Sequence, residues 1–156
     1  MAKSTPATAA LARAGIVFTL REYAYDPNAD RIGLQVAEAL GVSAERLLKT
    51  LMAKAGGGVA CALIPSDREL SLKRLAAAAG AKEAAMLASA EAERVTGYHV
   101  GGISPLGQKR RHRSFVESDV LQLPTVIVNG GRRGLQIELA TADLVRLLDA
   151  AAARLS

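Results

Sequence analysis

Tryptophan is absent from these 156 residues, and the aromatic side chains amount to two phenylalanines and three tyrosines. The core must therefore be built mainly from Ala, Val, Leu and Ile, with few of the large rings that dominate many small domains. Cysteine occurs once, at Cys61, which excludes an intramolecular disulfide framework and a thiolate cluster. The two histidines, His99 and His112, do not have the spacing of a zinc-binding helical pair, so no metal or other cofactor is expected. Neither a Gly-x-Ser-x-Gly elbow nor a Walker loop is present, which leaves the common serine-hydrolase and P-loop readings without support. No run approaches the ~18 apolar residues of a membrane span, and the first six residues lack the apolar stretch of a signal peptide. A membrane partner is not expected, and the cytoplasm is the expected compartment.

What is present fits a single domain over residues 1–156. Hydrophobic residues make up 50% of the chain and charged residues 22%, the proportions of a folded rather than a disordered sequence. The formal net charge of +5 suits an anionic partner such as nucleic acid or a nucleotide, and equally a soluble arginine-rich protein without one. Cys61 lies within Val59-Ala60-Cys61-Ala62-Leu63-Ile64, where a small buried thiol packs well and is unreactive.

Cap and stop residues predict helices over residues 5–14, 33–40, 71–79, 90–96 and 141–153. Ser4 or Thr5 and Ser71 are the candidate N-caps, and Gly15, Gly41, Gly80 and Gly97 the candidate stops. Apolar, β-branched and alternating stretches predict strands over residues 16–23, 47–53, 59–64, 114–117, 125–128 and 135–139. Asp26-Pro27-Asn28-Ala29-Asp30 is turn chemistry, Gly56-Gly57-Gly58 reads as a hairpin turn, and Asn129-Gly130-Gly131 separates two later strands. Residues 82–87 fit helix and strand equally. Strands and helices mixed without regular βαβ alternation give an α+β class, with a mixed, barrel-like sheet and helices packed outside it.

Lys49 stands in the apolar strand Arg46-Leu47-Leu48-Lys49-Thr50-Leu51-Met52. With Leu48, Thr50 and Met52 on one side, Lys49 shares the other with Leu47 and Leu51. A charge there must snorkel to water, pair, or point into a cleft, and protection of a sheet edge is the structural alternative. In Gly101-Gly102-Ile103-Ser104-Pro105 the paired glycines allow backbone to approach a ligand, with N–H groups able to hold a developing oxyanion. Pro105 biases Ser104 toward an extended conformation, and a plain turn is the alternative there. Lys109-Arg110-Arg111-His112-Arg113 is the densest positive run, either a face for RNA phosphates or a solvated segment that keeps the chain soluble.

Lys49-Thr50-Leu51, Thr96-Gly97-Tyr98, the run from Gly101-Gly102-Ile103-Ser104-Pro105 through Leu106-Gly107-Gln108-Lys109, and Gly130-Gly131-Arg132-Arg133-Gly134-Leu135 together closely resemble the YbaK/EbsC family. They occur in the family's order and at its spacing, and the likeness covers almost the whole chain. The resemblance implies a mixed, mostly antiparallel barrel-like sheet surrounded by helices, related to the editing domain inserted in bacterial prolyl-tRNA synthetases. It implies trans-editing, the hydrolysis of the ester that joins a wrong amino acid to tRNA. The YbaK branch clears cysteine from the proline tRNA, and sister branches act on alanine or other small residues. The implied partner is aminoacyl-tRNA, held by its 3′-terminal adenosine and amino acid, with prolyl-tRNA synthetase a further candidate; no cofactor is implied. By position, Lys49 is the functional lysine, and Gly101 and Gly102 are the glycine pair expected to stabilise the oxyanion. Tyr23, Thr50, Ile103, Ser104, Pro105, Asn129 and Gly130 are expected around the substrate, and Lys109, Arg110, Arg111 and Arg113 against the tRNA. Asn129 stands where many relatives carry serine, and Gln136 where several carry an acidic residue. Both changes bear on amino-acid selectivity more than on the reaction, since an amide keeps hydrogen-bonding capacity and alters charge.

Overall fold

Thr5 opens the first helix, α1 (Pro6–Ala14), as a reciprocal cap: its hydroxyl accepts the Thr8 N–H at 3.2 Å, and the Thr8 hydroxyl accepts the Thr5 N–H at 2.8 Å. Gly15 closes that helix in the left-handed region. The computed structural model of the chain describes residues 4–24 and 32–156, so the turn expected at 26–30 lies outside the described residues. Strand β1 (Phe18–Glu22) and helix α2 (Ile32–Leu40) are followed by the hairpin of β2 (Leu48–Ala55) and β3 (Gly58–Pro65). The hairpin pairs Ala55 with Gly58, and Gly56 in its turn sits at φ +62°, a conformation that favours glycine. Helix α3 (Leu72–Ala79), capped by the Ser71 hydroxyl, leads through β4 (Ala84–Met86) to α4 (Ser89–Thr96). The last third contains β5 (Arg113–Glu117), a 3₁₀ helix (Ser118–Gln122), β6 (Thr125–Asn129), β7 (Leu135–Ala140), α5 (Thr141–Leu148) and β8 (Ala151–Ala153).

The α+β class and the predominance of antiparallel pairing agree with expectation. Rather than one continuous barrel sheet, the described residues form two sheets, ordered β1-β7-β6 and β4-β2-β3-β5-β8. The first is antiparallel throughout, while the second runs parallel where β5 joins β3 and where β8 joins β5. A single parallel bridge, Leu47 to Ile127, joins them, and the Ile127 N–H donates to the Arg46 carbonyl at 2.8 Å. The seam places the start of β2, and with it Lys49, beside β6 and β7.

Alternation along β3 explains its unbroken apolar run. Cys61 and Leu63 enter the central core between the sheets with Leu48, Met52, Val126, Val128, Ile137 and Leu139. Ala60, Ala62 and Ile64 face the other way and are covered by Leu75 of α3, Phe115 and Leu155. A strand buried on both faces reads as hydrophobic at every position. Helix α2 covers the seam, where Val36 and Ala37 pack on Leu47 and Ile127.

The helix expected over residues 141–153 ends at Leu148. Asp149 takes the left-handed conformation at φ 51° and the Ala150 N–H donates to the Val145 carbonyl at 3.0 Å, which turns the chain back. The following alanines then add a parallel edge to β5, Phe115 pairing with Ala151 and Glu117 with Ala153. Alanine prefers helix, but strand pairing in the folded context overrides that weak preference. Residues 84–86, within the ambiguous stretch, form an edge strand on β2. Among the described residues no helix is long and apolar enough to cross a membrane.

Glu138 fastens the β1–β7 edge to the seam. Its carboxylate accepts from Arg21 Nε at 2.8 Å, from Arg46 Nη2 at 2.5 Å and from the Thr125 hydroxyl at 3.2 Å. Burial alone would raise this carboxyl, but Arg21, Thr125 and Arg46 outweigh it and hold it below the usual carboxylate range. Glu138→Gln leaves two guanidiniums facing a neutral amide, and a loss of about 1–3 kcal/mol is expected in urea unfolding at neutral pH. Because the folded pKa is depressed, this contribution is present above the ordinary carboxylate pKa and is lost as pH falls through the lowered value. The gap between wild type and variant should therefore close in acid.

Candidate active site

A cleft of about 380 Å³ opens at the seam, lined among others by Tyr23, Val36, Leu47, Leu51, Val100 and Ile103 as its apolar walls. Lys49, Thr50, Ser66, Gly101, Asn129 and Gln136 supply its polar groups. Lys49 reaches it from β2, where it pairs with Ile64 across the hairpin. Burial lowers its pKa below the ordinary lysine value, with Glu69 and Asp67 pulling part of the way back. Among the described residues the Lys49 ammonium has neither an ion pair nor a hydrogen bond, so its charge is available to whatever enters. Among the described residues the buried Thr50 hydroxyl has no hydrogen-bond partner.

The opposite wall is a clamp between two loops. Asn129, at the end of β6, donates from Nδ2 to the Gly101 carbonyl at 3.2 Å and accepts the Gly131 N–H on Oδ1 at 2.7 Å. Arg133 donates to the Val100 carbonyl from Nε at 3.1 Å and from Nη2 at 2.8 Å. The 99–102 turn is thus pinned against the 130–134 loop. Gly101 sits at φ +92°, which disfavours any side chain, and among the described residues its N–H has no acceptor. The Gly102 N–H, by contrast, donates to the His99 carbonyl at 2.8 Å and closes the turn. Of the expected amide pair, one donor is therefore available to substrate and the other is engaged in the backbone. A Cβ on Gly102 would lie 2.8 Å from the Arg132 Cα, so this glycine is required by the close approach of the two loops.

Tyr23, Lys49, Thr50, Gly101, Ile103 and Asn129 come together in the cleft. Ser104 and Gly130 support it from behind. The Ser104 hydroxyl accepts the Leu106 N–H at 3.2 Å and its carbonyl accepts from Gln108, while the Gly130 carbonyl accepts from Thr5 and its N–H pairs with the Leu135 carbonyl. Pro105, Arg110, Arg111 and Arg113 line other grooves, and Lys109 lines neither of these nor the cleft. Ser66 and Gln136 also reach the wall. Gln136, singled out by the resemblance, is drawn there by its register opposite Asn129 across the β6–β7 hairpin. Ser66 is fixed by its hydroxyl donating to the Leu47 carbonyl at 2.6 Å.

Among the described residues of this wall no nucleophile is paired with a base. Neither histidine lines it: His99 is exposed 3.6 Å from Glu93, and His112 Nε2 is 3.1 Å from the Val95 carbonyl. Cys61 is buried in the central core, where loss of solvation, opposed by the Ser114 hydroxyl, pushes its thiol up to about 12. No group of three or more metal-ligating side chains occurs among the described residues. The wall can bind an anionic or polar group at Lys49, offer the Gly101 N–H to a carbonyl, and dehydrate what lies between.

Residues 26–147 match the family model of the aminoacyl-tRNA editing domain, the greater part of the chain. The chain belongs to the aminoacyl-tRNA editing domain family. One relative, provisionally named the Cys-tRNA(Pro)/Cys-tRNA(Cys) deacylase EbsC of Enterococcus faecalis, is 38% identical over 129 residues, covering 81% of this chain and 79% of that protein. A proline–tRNA ligase of a Thermoanaerobacter species is 32% identical over 120 residues, 76% of this chain but only 21% of the ligase. A solved structure described provisionally as a trans-editing enzyme for prolyl-tRNA synthetase shares the fold, with a TM-score of 0.85 at 23% identity over 99% of both chains. The cleft of this editing domain is the one place where Lys49 and the glycine turn meet.

Proposed function

We propose that this protein is a trans-editing aminoacyl-tRNA deacylase whose first substrate is cysteine esterified to the proline tRNA. The observation that carries the reading is the meeting of an unpaired, half-buried Lys49 with the Gly101 turn in one apolar cleft, on a chain of the editing family. The 38% identity to a relative bearing the corresponding deacylase name supports the substrate. Lys49 anchors the terminal adenosine or its phosphate, and the Gly101 N–H takes up charge on the ester carbonyl oxygen. The cationic run at 109–113 attracts the RNA backbone.

An ester needs less activation than an amide, and among the described residues the wall offers no paired nucleophile and base, so attack comes from the substrate or from water. With cysteine, the thiol sulfur bonds to the carbonyl carbon as the bond from that carbon to the ribose oxygen breaks. The thiol proton passes to the departing ribose hydroxyl, leaving a four-membered thiolactone and intact tRNA. An amino acid without the thiol must wait for water. Similarity to part of a proline–tRNA ligase supports prolyl-tRNA synthetase as a partner that selects the isoacceptor.

The test is deacylation of proline tRNA charged separately with cysteine, alanine and proline. Cysteine should be released at least tenfold faster than either of the others. Faster loss of alanine reassigns the substrate and removes the thiol route, and survival of all three esters sinks the deacylase reading.

A further inference from the structure

Two grooves lie side by side away from the cleft, of about 190 and 410 Å³, sharing Arg111, His112, Ser114 and Leu148 as a common wall. Their lining is apolar where Ala10 of α1 and Leu147 of α5 contribute, and cationic where Arg110 and Arg111 stand exposed. Among the described residues neither arginine has a hydrogen bond or an ion pair. Among the described residues Asp149 is the one carboxylate on the lining. Arg113 differs from its neighbours: it donates to the Ala79 carbonyl at 2.9 Å and lies 5.1 Å above the Phe115 ring, so it is held by the fold.

One segment of chain runs from the cleft to the smaller groove. Gly101 and Ile103 line the cleft, while Pro105, Leu106, Gly107 and Gln108 line the smaller groove. Gln108 stiffens the connection by donating to the Ser104 carbonyl at 2.9 Å. Strand register gives the separation. Lys49 pairs with Ile64, and Arg113 pairs with Ala60 on the same strand. The basic run therefore leaves the sheet ~13 Å along the strands and ~10 Å across them from Lys49, a span of ~16 Å.

We propose that this groove is a second RNA subsite, which takes the strand of the charged tRNA upstream of its terminal adenosine. Arg110 and Arg111 neutralise phosphates, and the apolar lining of Ala10 and Leu147 receives a base or ribose face. This rests on the deacylase reading, and the ~16 Å offset from the aminoacyl cleft along one chain segment, together with the unpaired charge, is what favours RNA over another anion. At ~3.4 Å per stacked nucleotide, ~16 Å corresponds to about five nucleotides. A stacked, charged trinucleotide spans only ~10 Å and ends short of the groove, whereas a full acceptor end covers the distance.

The experiment compares cysteine-charged proline tRNA with the cysteine-charged 3′ trinucleotide, using wild type, the double variant Arg110→Gln/Arg111→Gln, and Ala10→Glu. The quantity read is the ratio of kcat/KM for tRNA to that for the trinucleotide. A fall of about tenfold is expected in both variants, and the double variant should flatten the dependence of log KM on log salt by about two. An unchanged ratio, or an equal loss on both substrates, overturns the subsite. If wild type leaves both esters intact, the deacylase reading falls and the groove is judged by fluorescence anisotropy with uncharged tRNA. Tenfold weaker binding by the double variant then upholds the groove, and equal binding overturns it.

Discussion

Lys49→Ala is expected to lower deacylation of cysteine-charged proline tRNA by a factor on the order of 10²–10³ while the protein stays folded. Its ammonium is the one unpaired cation in the cleft lining among the described residues, and in a half-buried site a fixed charge acts more strongly than it does in water. No salt bridge or hydrogen bond within the described fold is lost with it, so activity and stability should move apart. Burial lowers the Lys49 pKa, which means the charged lysine costs stability below that lowered value. Between the lowered value and the ordinary 10.5 the unfolded chain holds the extra proton, so stability rises with pH across that window. Lys49→Met, which keeps an apolar stem and drops the charge, should accordingly melt no lower than wild type at neutral pH, with any gain vanishing above the ordinary lysine pKa. Wild-type activity should fall on the alkaline side at a lower pH than an unperturbed lysine would dictate. Near-normal turnover by Lys49→Ala, or a Tm loss as large as its activity loss, would remove the lysine from the site.

That Lys49 needed a special place was legible, because a charge in the middle of Leu47-Leu48-Lys49-Thr50-Leu51 must snorkel, pair or enter a cleft, and the cleft is where it lies. The Thr5 and Ser71 caps and the 56–58 turn were legible for the opposite reason, since local chemistry and the fold agree there. Ala151–Ala153 was not, because nothing in an alanine run shows that β5 lies alongside to pair with it. The seam was equally hidden. Ser66 enters the cleft opposite Asn129 and Gln136, neighbours across the β6–β7 hairpin that the resemblance had named, because the Leu47–Ile127 bridge joins the two sheets. The glycine pair could be seen, but its division of labour could not. Only the geometry shows that Gly102 spends its N–H on His99 and that Gly101 does not.

That division of labour predicts the second large effect, at Gly102→Ala. An added Cβ would lie 2.8 Å from the Arg132 Cα, 2.9 Å from its carbonyl carbon and 3.0 Å from the Arg133 nitrogen, all of them backbone atoms that cannot swing aside. The 99–102 turn and the 130–134 loop must separate, at a cost of about 1–3 kcal/mol for overpacking. Separation also strains the Asn129 and Arg133 bonds to the Gly101 and Val100 carbonyls, which hold the turn in place. A displacement near 1 Å at a positioning group costs about 10²-fold in rate, so kcat should fall by about that factor, with a Tm several degrees lower. Gly101→Ala provides the contrast. Its Cβ would meet the Arg133 side chain, with Nε at 2.6 Å, and an arginine can move, though φ +92° still strains alanine there. Gly101→Ala should therefore disturb the donor itself with less repacking, and Gly102→Ala should disturb the donor through its support. If Gly102→Ala lowers Tm and leaves kcat at the wild-type value, the turn's position against the 130–134 loop is irrelevant to the reaction, and the Gly101 N–H cannot be the group that holds the carbonyl oxygen.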